Sequence, residues 1–190
     1  MHKSLALLFL STLALHAAET VASMYQGQLK EAQGEIVSLA EAMPESAYNF
    51  APTQGAFDKV RTFAQQLKHV AAVNFLVSAA AAKEKAPVDL GQGENGPDSV
   101  KTKAQVVQFL KDSYAYANKS MAKLTAANQL ESVPAPFSGA PPMTRGELLA
   151  LTISHTMDHY GQIVVYARMN KVIPPASVPQ APAPAPAQKK

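Results

Sequence analysis

Where proline falls constrains this chain more than any other feature. After the first eighteen residues, its prolines leave four proline-free windows: 19–43, 53–86, 98–133 and 143–173. Between them sit Pro44, Pro52, Pro87, Pro97, Pro134, Pro136, Pro141 and Pro142. A proline inside a helix removes a backbone hydrogen bond and clashes with the preceding turn, so long helices are confined to these windows.

Periodicity fills each window with a helix. In the first, Ala22, Tyr25, Leu29, Ala32, Ile36, Leu39 and Met43 recur at alternating steps of three and four. In the third, Val107, Leu110, Tyr114, Ala117, Met121 and Leu124 do the same. Such seams belong to helices packed at a shallow crossing angle. The second window places Thr62, Gln66, His69, Val73, Leu76 and Ala80 on one face. The fourth opens with the capping-box spacing of Thr144 and Glu147 and then aligns Leu148, Thr152, His155, His159, Gln162 and Tyr166. No window alternates as a strand would. Four amphipathic helices joined by loops over 44–57, 84–98 and 128–143 predict an all-α four-helix bundle, with simple and crossover connections both open.

The two ends read differently. Lys3 followed by the apolar run Ser4 to Leu15 and the small residues Ala17, Ala18 and Ala22 has the pattern of a secretory leader over residues 1–18, with cleavage after Ala17 or Ala22. The run is well short of the ~20 residues that span a bilayer, so no stable membrane anchor is expected. The expected destination is the periplasm or beyond. Residues 174–190 hold six prolines and five alanines, the composition of an extended, polyproline-like tail. The domain between them is 19–173.

Composition excludes several function classes. The absence of cysteine removes disulfides, thiolate metal sites and a cysteine nucleophile. A formal charge of +3, which loss of Lys3 with the leader lowers to +2, is too small to argue for nucleic acid. With 47% hydrophobic and 16% charged residues the chain is not of disordered type.

The histidines carry the chemistry. His2 and His16 fall in the leader; His69, His155 and His159 remain, and all three lie on inward stripes. His155 and His159, four residues apart, project from adjacent turns of one face. If the second and fourth helices are neighbours, three imidazoles meet inside the bundle. Neutral imidazoles suit a divalent zinc, nickel or iron ion. Three protein ligands leave a position for water or substrate, the layout of a catalytic rather than a sealed site. His155 is followed by Thr156 rather than glutamate, which argues against an HExxH protease. Gln66, Thr152 and Gln162 lie one turn from these histidines and are placed to orient an imidazole. Asp158 sits at the margin of the stripe, Arg168 points away from it, and Gly161 is expected to permit close helix packing.

The stretches HTMDHYGQIVVYARMNKVIPP (155–175), AEAMPESAYNFAPTQGAF (40–57) and VRTFAQQLKHVAAVNFLV (60–77) resemble DinB-like proteins, the small metal-binding family rather than the DNA polymerase that shares the name. The resemblance spans roughly 24–175. It implies an up-down-down-up bundle, often a homodimer, with a divalent metal held by residues matching His69, His155 and His159. Relatives include thiol-dependent transferases and a mycothiol-dependent isomerase. The export signal departs from that setting, because low-molecular-weight thiols are chiefly cytoplasmic.

The expected function is an exported metal-binding protein with an open three-histidine site, a hydrolase or transferase acting on an unidentified small molecule. Non-catalytic binding of metal or a small ligand in stress, and a purely structural bundle, are the alternatives. The sequence leaves enzyme status open.

Overall fold

The computed structural model describes residues 19–179; the expected leader over 1–18 and the tail beyond 179 lie outside the described residues. Four long helices account for most of it: α1 (Val21–Ala42), α2 (Phe63–Ala82), α3 (Lys103–Ala122) and α4 (Arg145–Met169). One helix lies in each proline-free window.

Every helix starts on a threonine. Thr20, Thr62, Thr102 and Thr144 each accept a hydrogen bond from the third helical backbone N–H, and Ser23, Gln65, Gln105 and Glu147 bond back to the cap. Two orphan donors are satisfied at each start, stabilising it by about 1 kcal/mol. Lys83 closes α2 in the left-handed conformation, at φ 58°.

Each of α1 and α2 packs on both α3 and α4, and the pairs α1–α2 and α3–α4 lie across diagonals. Polar contacts give the directions. Lys103, at the start of α3, donates to the carbonyls of Glu41 and Met43 at the end of α1, while Gln26 reaches Asn118. These two helices are antiparallel. Gln66 of early α2 meets Gln162 of late α4, so that pair is antiparallel too. Lys68 bonds the carbonyl of Pro97, just ahead of α3, and Lys123 beyond α3 pairs with Glu84 beyond α2, so α2 and α3 run parallel. The order is up-down-down-up. The link from α2 to α3, residues 83–102, must therefore travel back along the bundle.

The seams read in the sequence for α1 and α3 face inward: Leu29, Ile36, Leu39, Met43, Leu110, Tyr114, Ala117 and Met121 are buried. The single face assigned to α2 is a correction. Fourteen of its twenty residues are buried, and Leu76 and Ala80 of the expected stripe are less buried than Val70, Ala71 and Val77 outside it. Because α2 is flanked by two helices and covered by the 83–102 link, it is apolar nearly all round.

Two smaller features were not expected. Ser132–Val133 and Met143–Thr144 pair antiparallel, closing the loop before α4. The start of the proline-rich tail is not extended: Pro175–Ser177 makes one 3-10 turn against α1, fixed by Arg168 donating to Ser177. Proline at the first position of a turn has the φ that the turn requires.

Candidate metal centre

The histidine site is built where early α2 faces late α4. His69 is buried on α2 and His159 on α4, with His155 half-buried one turn before it. Their ligand nitrogens all lie within 4.8 Å of one another, an arrangement that can hold a metal ion. His155 Nε2 is 3.2 Å from His69 Nε2 and 3.1 Å from His159 Nε2. Zinc–nitrogen bonds of ~2.0–2.1 Å place tetrahedral ligands ~3.3 Å apart. The spacing fits such an ion.

The outer ring nitrogens decide which way the inner ones face. His69 Nδ1 lies 2.9 Å from the carbonyl oxygen of Glu94, which only accepts, so this nitrogen carries the proton. His159 Nδ1 meets Gln66 Oε1. That amide is oriented in turn: Gln66 Nε2 donates to Gln162 Oε1 at 3.0 Å, and Gln162 Nε2 donates to Asp158 Oδ2 at 3.2 Å. The acceptor-only carboxylate thus fixes both amides, and His159 Nδ1 must donate. Both neutral rings therefore turn an Nε2 lone pair inward. A single proton on His155 Nε2 cannot fully serve the two. The cluster is short of one positive charge, which a cation at the shared centre would supply.

Electrostatics keeps the rings neutral. Burial, reinforced by the neighbouring rings of His159 and His69, pushes His155 down to about 3. Burial, then His69 and Arg61, pushes His159 down to about 4. Burial lowers His69 as well, opposed in part by the Glu94 carbonyl. Ligands need no deprotonation at neutral pH. His155 Nδ1 is buried with no hydrogen-bond partner among the described residues.

The link over 83–102 lays a turn across the site. Gly96 N–H bonds the Leu90 carbonyl at 2.8 Å. Gly91 has φ +72°, and a Cβ there would lie 1.9 Å from the Gly96 oxygen, so glycine is required. Lys68 bonds the carbonyl of Pro97, His69 that of Glu94, and Arg61 both Asn95 Oδ1 and the Gly93 carbonyl. Arg61 and the Glu94 carbonyl were not singled out in the sequence. A backbone acceptor leaves no side-chain signature.

Of the three orienting residues expected, the structure brings two to the histidines: Gln66 directly and Gln162 through Gln66. Thr152 is not one of them. Its hydroxyl donates to the Leu149 carbonyl within its own helix, as helical threonines do. Tyr166 bonds the Arg61 carbonyl rather than an imidazole. Gly161 also differs from expectation: it is exposed, and a Cβ there would meet open space.

These features define a four-helix bundle with a three-histidine cluster between its second and fourth helices. Residues 28–163 match the family model described as the DinB superfamily, and the chain belongs to that family. Two solved structures share its fold. A conserved protein from Enterococcus faecalis is 17% identical, with a TM-score of 0.64 over 80% of this chain and 98% of that one. A DinB-like protein from Bacillus cereus is 11% identical, with a TM-score of 0.61 over 80% and 93%. No curated protein matches the chain.

Proposed function

We propose that this chain is an exported metalloprotein in which His69, His155 and His159 bind one divalent ion, zinc, nickel or iron, and leave coordination positions for a small molecule. One observation carries the reading. Three Nε2 atoms converge while the Nδ1 atoms of His69 and His159 are committed to oriented acceptors. A bound ion supplies Lewis acidity toward an oxygen-bearing ligand. Glu94 and Gln66 hold the rings, and the 83–102 link shields one side from water.

The site suits a metal-dependent hydrolase or transferase. A second reading, ligand capture without turnover, is favoured by the adjoining cavity, whose lining has no carboxylate to act as a general base. Calorimetric titration of chelator-treated protein with Zn²⁺, Ni²⁺ and Fe²⁺ tests the metal: one equivalent should bind in wild type and none tightly in His69→Ala. Export is tested by the mature N-terminus of protein recovered outside the cytoplasm, expected at residue 18 or 23. Recovery only as uncleaved cytoplasmic chain would contradict it.

A further inference from the structure

We propose that Arg61 is the anion-binding wall of the histidine site, and that the small molecule taken there carries an oxyanion, a carboxylate or a phosphate. The inference rests on the metal reading above and names the ligand class of that same site. A cavity of about 500 Å³ reaches the histidine cluster at His159 and is lined by Lys59, Arg61, Gln65, Asn95, His159 and Gln162 among others. That volume lies within the range of small-molecule sites. Its lining has two permanent cations and no acid.

Arg61 is held without being neutralised. Its carbonyl accepts from Tyr166 of α4 at 3.1 Å. Its Nε donates to Asn95 Oδ1 at 2.8 Å and its Nη2 to the Gly93 carbonyl at 3.3 Å. Both acceptors are uncharged, and among the described residues Arg61 has no ion-pair partner. A guanidinium has five donors in a planar fork suited to a carboxylate or phosphate, and only two bonds fix this one. Lys59, whose nearest acid is Asp58 at 3.9 Å, adds a second, exposed charge at the rim. Asp158 is bonded to Gln162. Three neutral imidazoles leave a divalent ion its full charge. Metal and guanidinium together thus select a ligand with one donor group for the ion and an anionic group for Arg61.

The test uses Co²⁺-loaded full-length protein and four probes: succinate, 3-phosphonopropionate, succinamate, which keeps one carboxylate for the ion and offers Arg61 a neutral amide, and acetate, which satisfies the ion alone. Affinities are read by calorimetry, and metal content is measured in the same samples. Succinate or 3-phosphonopropionate should bind wild type at least tenfold tighter than succinamate, and the tighter of the two assigns carboxylate or phosphate. Arg61→Met should weaken that dianion at least tenfold at unchanged metal content, with Arg61→Lys in between and acetate little changed. A dianion preference below tenfold in wild type, or a loss below tenfold in Arg61→Met, overturns the proposal. If Arg61→Met does not fold, the wild-type comparison decides alone. If wild type takes no cobalt, the metal reading falls instead, and the same titrations of metal-free protein still decide for or against Arg61.

Discussion

His159 on α4 donates from Nδ1 to Oε1 of Gln66 on α2, and this one contact ties the metal-facing lone pair of the histidine to the packing of two antiparallel helices. Gln66 is itself oriented by Gln162, and Gln162 by Asp158. Removing the amide should therefore weaken metal binding without removing a ligand. Gln66→Leu should lower affinity 10–100-fold, as loss of a ligand-orienting partner does. Gln162→Ala, one bond further out, should have a smaller effect. Competition with a chelating dye measures both; an affinity within twofold of wild type for Gln66→Leu would contradict the relay.

The depressed histidines make the metal-free protein acid-sensitive. His155 and His159 fall to about 3 and about 4 in the fold, against ~6.5 in an unfolded chain. Between these values the unfolded state binds more protons, so stability is full above pH 6.5 and is lost as pH falls toward 4. At pH 5 the loss is up to about 2 kcal/mol per ring. Chelator-treated protein should show a lower Tm at pH 5 than at pH 7, and His155→Ala should flatten that dependence. A Tm that is unchanged or higher at pH 5 would count against buried neutral rings.

Much of this fold is legible in the sequence for a simple reason. Proline exclusion and three-four periodicity act locally, and they place all four helices. Thr62 and Thr102, each followed three residues on by glutamine, carry the same capping-box spacing as Thr144 with Glu147 and are readable; Thr20, with Ser23 in that place, departs from it. What periodicity hides is the neighbourhood of each helix. The stripe through Val73 and Ala80 marks one face of α2, but a helix covered on nearly all sides has no single inward face. Thr152 illustrates a related limit. It has the right phase for His155, yet its short side chain reaches its own backbone first. The Glu94 carbonyl joins the site because the parallel pairing of α2 and α3 sends the intervening link back across it, and Arg61, just ahead of α2, is held there by Tyr166 of α4 and by that link.

Two glycines should respond in opposite directions. Gly91→Ala requires a Cβ where the Gly96 oxygen sits, at a positive φ. It should displace the turn that presents Glu94 to His69, lowering stability by about 1–3 kcal/mol and weakening metal binding. Gly161→Ala adds a methyl in open space within α4 and should stabilise by ~0.4–1 kcal/mol. Urea unfolding of both variants tests the pair; destabilisation by Gly161→Ala would mean that its surface is covered.

Tyr114 bridges a diagonal of the bundle. It is fully buried on α3, and its hydroxyl lies 2.9 Å from Thr156 Oγ1 on α4. Thr156 donates its proton to the Thr152 carbonyl, so Tyr114 must be the donor. Tyr114→Phe should cost about 1 kcal/mol and leave metal affinity unchanged, since the bond lies outside the histidine relay. A large change in metal affinity would show that the two networks are coupled.

The central claim is that three imidazoles share one ion. Elemental analysis of full-length protein produced without a histidine tag tests it most directly. One equivalent of zinc, nickel or iron per chain is expected in wild type, falling well below stoichiometry in His155→Ala with the helical spectrum retained. Wild-type protein with no stoichiometric metal, and no rise in Tm on adding Zn²⁺ or Ni²⁺, would contradict the account.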